Sequence, residues 1–149
     1  MKTVNYFFQS IIIYILFIFG RITGLTLGRK IFSNIFKKIG PKFKSTKIIY
    51  KNLDNFSKST TLEEREKIIS DMWKNYGMTF IEYVYLDFFR KQNSHIIIEG
   101  EENLKNVIEK NKPVIFISGH FANYELMSME LTKKNIKLAT IYRPLITLS

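Results

Sequence analysis

The residues most suited to chemistry lie together in Ser118-Gly119-His120-Phe121-Ala122-Asn123-Tyr124-Glu125, where a histidine is followed five positions later by a carboxylate. A carboxylate bound to one imidazole nitrogen fixes the tautomer and stabilises the imidazolium. The other nitrogen is then free to take a proton from a hydroxyl. Gly119 lets a substrate approach the backbone closely. A helix starting just after the phrase would turn its first N–H groups towards a developing oxyanion. The chain has no cysteine, which excludes a thiolate nucleophile, a disulfide scaffold and Cys-ligated metal. His120 and Glu125 alone do not close a zinc shell, so no metal site is expected; His95, on an apolar strand edge, reads as structural.

Regular elements must hold this phrase in place. Val114-Ile115-Phe116-Ile117 reads as a strand buried on both faces, Tyr124 to Lys134 as a helix, and Ile136 to Tyr142 as a further strand. That βαβ order predicts an α/β fold with parallel strands, and the carboxyl end of such a strand is where open α/β sheets place their sites. Upstream, His95 to Glu99 reads as a short strand and Glu101 to Lys110 as a helix, with a turn at Asn111-Lys112-Pro113. Thr60 and Thr61, each three residues ahead of a glutamate, offer a capping box. The helix they open is expected from about Leu62 towards Arg90, with Gly77 as a point of bending.

The net charge of +10 is unevenly spread: residues 1–60 hold 11 Lys/Arg against the single acid Asp54, while residues 61–149 hold 12 of each sign. The excess lies beside the most apolar stretch of the chain, which favours an anionic membrane surface over nucleic acid, and no nucleic-acid-binding motif is present. From Thr3 to Gly20 there is no charge. As a helix these residues span about 27 Å, and Ile22 to Gly28 can extend the buried length. A spanning or deeply inserted anchor over 1–28 is expected. No small-x-small cleavage site precedes Arg21, against a signal peptide. The basic cluster Arg21, Arg29, Lys30, Lys37 and Lys38 follows the anchor and places the rest of the chain in the cytoplasm. Residues 29–60 read as basic amphipathic membrane-proximal helices. The first, Leu27 to Ile39, is stopped by Gly40-Pro41; its stripe of Ile31, Phe32, Ile35, Phe36 and Ile39 either packs on the protein's own core or lies in the membrane interface.

Taken whole, the phrase around His120 resembles the Gly-His-Phe-x-Asn-Trp-Glu motif of the bacterial lipid A late acyltransferases, the lauroyl/myristoyl transferase family, which carries a His-x4-acid signature; Tyr124 stands at the tryptophan. The resemblance extends to the apolar anchor, Lys51-Asn52-Leu53, Glu64-Arg65, Tyr76-Gly77, Glu82, Ile98-Glu99-Gly100-Glu101-Glu102-Asn103-Leu104 and Tyr142-Arg143-Pro144. It implies a glycerolipid-acyltransferase-like mixed sheet. His120 would be the general base and Glu125 its partner, with Gly119, Asn123 and Arg143 binding substrate, Arg143 through a phosphate or carboxylate. It further implies transfer of a fatty acyl group from an acyl-carrier-protein or CoA thioester to a hydroxyl of a lipid A precursor at the bacterial inner membrane, with no cofactor. Another glycolipid or a glycerophosphate is the alternative acceptor. Because the family pattern continues past Tyr-Arg-Pro, residues 61–149 read as the N-terminal half of the acyltransferase domain, and a catalytically inactive anchored fragment is the alternative to an enzyme.

Overall fold

The computed structural model describes residues 2–93, 95–110 and 113–141. Among these, the regular elements are seven α-helices and one 3₁₀ turn, in two compact units, 1–89 and 90–149. The expected α/β fold with a mixed sheet is therefore not observed: the described chain is all-helical. Segments 96–100, 113–121 and 136–141 carry no regular structure. A strand exists only when a neighbour completes its hydrogen-bond ladder, and none of these segments pairs with another. Exposure still alternates along one of them, with Val114 at 42%, Ile115 at 88%, Phe116 at 38% and Ile117 at 91%. The sequence predicts burial on both faces; in the structure neither face is buried, and the Ile115–Ile117 face is almost bare.

In the first unit, α1 (Lys2–Thr23) is a helix of about 33 Å. Over Val4–Thr23 it is long and apolar enough to cross a membrane, and nearly all of its surface is uncovered by the protein. It breaks at Gly24, whose φ of 77° suits glycine. α2 (Leu25–Phe43) then runs past the expected stop, with Pro41 inside its last turn. Gly40 is buried against the Trp73 ring, so close that a Cβ there would sit 2.2 Å from it; this contact accompanies the helix through the proline. α3 (Thr46–Phe56) follows.

α4 (Leu62–Glu82) starts as the sequence predicts: the Glu64 N–H donates to Thr61 Oγ1, and the Thr61 N–H donates to the Glu64 carboxylate at 2.7 Å. It is continuous through Gly77 and tightens at the 3₁₀ turn Tyr83–Tyr85 before α5 (Leu86–Lys91).

α2 and α4 form the core pair of this unit. Phe32, Ile81 and Phe89 are almost fully buried, each contributing roughly 1.5–3 kcal/mol. Phe17, Phe32 and Phe36 surround Phe80 with ring centroids 5.3–5.6 Å away. Of the two readings of the α2 stripe, Phe32 and Phe36 thus follow the core one. Arg29 grips Glu82 through Nε and a terminal nitrogen, both at 2.8 Å, on a carboxylate only 11% exposed. The end of α1 is tied to the 3₁₀ turn: the Tyr85 hydroxyl donates to the Gly20 carbonyl at 2.9 Å, and the Arg21 guanidinium lies 5.2 Å from the Tyr85 ring centre.

In the second unit, α6 (Glu101–Glu109) follows the left-handed Gly100, and α7 (Glu125–Lys133) closes in a full left-handed cap on Asn135. The Asn135 N–H donates to Thr132 O and the Ile136 N–H to Leu131 O, which satisfies the last carbonyls of the helix.

Candidate active site

His120 sits at the tip of a three-residue turn closed by the Phe121 N–H, which donates to the Gly119 carbonyl at 2.9 Å. Its side chain is exposed, in an irregular loop between the apolar segment 113–117 and α7. The Phe121 ring, 81% exposed, folds back over Gly119, where a Cβ would lie 2.3 Å from it. The chain then reverses at Ala122, held at φ 45°. A left-handed alanine costs about 1–2 kcal/mol, and nothing in the residue type signals it.

After this reversal comes Tyr124, whose ring meets the His120 imidazole edge-on at a centroid distance of 4.3 Å. Tyr124 therefore braces His120, a contact between positions 120 and 124 that the sequence reading left unassigned. Glu125 is the first residue of α7, where a carboxylate is favoured by the positive end of the helix dipole. The helix opens on main-chain bonds, with the Leu126 N–H donating to Asn123 O and the Met127 N–H to Tyr124 O, both at 3.2 Å. Asn123 and Glu125 are half-buried, beside the loop that exposes His120. Arg143, expected to bind substrate, lies outside the described residues, as do its neighbours Tyr142 and Pro144 and the predicted turn residues Asn111 and Lys112.

An apolar groove of about 360 Å³ runs along the same unit. Leu104 and Val107 of α6, Val114 and Phe116 of the segment leading to His120, and Met127 and Leu131 of α7 line it. Glu99, Glu101 and Asn103 also border it, but its lining surface is mainly apolar and suits a hydrocarbon chain.

The second histidine, His95, lies near a carboxylate that the sequence spacing did not show. His95, its side chain 5% exposed, has Nε2 3.6 Å from Glu130 Oε1, and Lys133 Nζ reaches the same oxygen at 2.5 Å. Lys133 also donates to the Gln92 carbonyl at 2.9 Å. Thirty-five positions separate His95 from Glu130, beyond the reach of any local motif. The group ties the segment entering the second unit to α7, which agrees with a structural role for His95. Lys134 and Glu101 form a further ion pair, and the lysine's hydrogen bond holds the Glu101 carboxyl below its ordinary value. Among the described residues, no three acids or histidines converge in a way that could hold a metal ion.

Comparison with known proteins gives the chain its kinship. The family model described as bacterial lipid A biosynthesis acyltransferase matches residues 2–147. The lipid A biosynthesis palmitoleoyltransferase of Escherichia coli (strain K12) is 30% identical over 99 residues, which is 65% of this chain and 32% of that protein. The lipid A biosynthesis acyltransferase of Shigella flexneri is similar to the same extent. The match thus spans about a third of the length of these curated relatives. No solved structure matches. With the match running through the apolar helix α1, the core pair and the His120 loop, the chain belongs to the bacterial lipid A biosynthesis acyltransferase family.

Proposed function

We propose that the protein takes part in acyl transfer to a lipid A precursor, moving a fatty acyl group from an acyl-carrier-protein or CoA thioester to a sugar-lipid hydroxyl. The family match over residues 2–147 carries this reading. The names of the relatives, the exposed His120 braced by Tyr124, and the apolar groove beside its loop support it.

In the proposed reaction the free nitrogen of His120 takes the acceptor hydroxyl's proton while the oxygen attacks the thioester carbonyl. The tetrahedral intermediate then expels the thiolate, which recovers the proton from the imidazolium; an ester and a thiol are the products. Glu125 orients the imidazole and stabilises its charged form, and the positive end of the α7 dipole favours the developing oxyanion. Gly119 and Asn123 line the acceptor side and Arg143 takes a phosphate or carboxylate of the substrate. The apolar α1 and the basic residues after it hold the protein in the bacterial inner membrane, with the second unit in the cytoplasm.

The test follows labelled acyl groups from acyl-carrier protein to lipid A precursor in membranes carrying the chain, alone and joined to the remaining length that its relatives have. Transfer is expected, with His120→Ala lowering turnover on the order of 10²-fold or more and Glu125→Gln also crippling it, while acceptor KM changes much less. Near-parental transfer by both variants, folded and membrane-bound, would overturn the general-base assignment.

A further inference from the structure

Residues 41–58 carry Lys42, Lys44, Lys47, Lys51 and Lys58 against one acid, Asp54. That acid is already engaged, its carboxylate 2.5 Å from Arg65. Positive charge around α3 is therefore uncompensated by its own segment. The same stretch exposes large apolar side chains: Phe43 at the end of α2 is 81% exposed, Phe56 at the end of α3 is 84% exposed, and Ile48 between them is 51% exposed. α3 also turns apolar side chains inward, with Ile49 buried and Leu53 half-buried. Ile48 lies about 140° around the helix from Leu53, whereas Phe56 falls within about 60° of Leu53 and is exposed because it is the last residue of the helix.

Two phenylalanines left in water on either side of α3, among lysines that form no ion pair with the described residues, call for an apolar medium with a negatively charged surface. A lipid leaflet bearing anionic headgroups has both properties: lysine ammonium groups sit at the phosphates, and their stems and the aromatic rings reach the acyl boundary. We propose that the α2–α3 corner is a second membrane contact, separate from α1, which docks on anionic lipid by immersing Phe43, Ile48 and Phe56 and pairing Lys44, Lys47, Lys51 and Lys58 with lipid phosphates. The stripe of α2 plays little part in it, because Phe32 and Phe36 are packed around Phe80. The corner shares only its membrane setting with the proposed acyl transfer and does not depend on that chemistry.

The absence of cysteine makes the test direct. Single cysteines at exposed positions 43 and 56, and a reference at position 12 in α1, take a nitroxide label in the full chain reconstituted into vesicles. Accessibility to oxygen against a water-soluble nickel chelate then reports depth. In vesicles containing phosphatidylglycerol, all three labels should favour oxygen. In pure phosphatidylcholine, or after Lys44, Lys47, Lys51 and Lys58 are changed together to Gln, the labels at 43 and 56 should return to the aqueous phase while position 12 stays in hydrocarbon. Circular dichroism checks that helicity is retained. Water-accessible labels at 43 and 56 in phosphatidylglycerol overturn the proposal, and equal depth in both lipids overturns its electrostatic part. Immobilised labels that do not favour oxygen would mark a protein surface instead. A label at 12 left in water would refute the anchor role of α1, a result readable apart from the corner.

Discussion

Replacing Gly77 by alanine pits helix propensity against packing, and the structure decides between them. In an isolated helix the change stabilises by about 1 kcal/mol, because alanine has less backbone freedom to lose. In α4, however, the new Cβ would lie 2.3 Å from the Phe32 carbonyl oxygen, 2.6 Å from its carbon and 2.9 Å from Ser33 Cα. These are main-chain atoms of α2 and cannot rotate aside. Restoring ordinary contact requires the two helices to part by about 1 Å, which forfeits a quarter to a half of the dispersion energy of the atoms across the seam. Overpacking of this kind costs about 1–3 kcal/mol, and with backbone on the far side the upper end applies. The net loss expected for Gly77→Ala is about 2 kcal/mol once the propensity gain is subtracted. Gly28→Ala is the matched control: its Cβ would meet Ile81 Cγ1 at 3.3 Å and Thr23 Oγ1 at 3.4 Å, both side-chain atoms. That variant should be neutral or stabilised by up to about 1 kcal/mol. Denaturant unfolding in detergent, followed by far-UV circular dichroism, separates the two. If Gly77→Ala were as stable as the parent, or if both variants moved alike, the close α2–α4 approach at Gly77 would be refuted.

The capping box and the His120 brace give two further expectations. Hydrogen bonds from the Thr61 N–H and then the Thr61 hydroxyl hold the Glu64 carboxyl below its ordinary 4.5; because the folded value is depressed, its stabilisation is present above pH 4.5 and is lost as pH falls through the lower folded value. Glu64→Gln should therefore lower stability at neutral pH and flatten the decline on the acid side, seen in unfolding midpoints taken across that range; an unchanged acid limb would contradict the capping role. Tyr124→Leu, which removes the ring beside His120, should cut kcat about 5-fold, the equivalent of ordering one side chain by about 1 kcal/mol. KM should stay the same and Tyr124→Phe should restore the parental rate, so an effect confined to KM, or equal in both variants, would exclude positioning.

Local signals in this chain were legible because they act over a few residues. The Thr61–Glu64 box, the limits of α6 and α7 to within a residue or so, and the uncharged run that becomes α1 all follow from side chains acting on backbone close in sequence. The phrase from Gly119 to Glu125 stood out through its resemblance to the family motif. The sequence also determined the charge asymmetry and the absence of thiol chemistry, since both are properties of composition.

Tertiary structure decided the rest, because it depends on what each segment meets. The runs at 96–98 and 114–117 have the apolar character of strands, yet a strand needs a ladder partner and none is formed among the described residues. Pro41 stays within α2 where Gly40 lies against Trp73, and α4 is continuous through Gly77, where the backbone of α2 approaches closely. The apolar stripe of α2 was compatible with lipid or core until Phe80 took up its phenylalanines, leaving Phe43, Ile48 and Phe56 as the apolar groups facing out around α3. Around His120, spacing suggested a carboxylate, while the contact of the Tyr124 ring with the imidazole, reached past the left-handed Ala122, came from the folded chain. Periodicity states which faces are apolar; only the packed chain assigns each face its neighbour, because burial is a property of pairs of surfaces and not of single segments.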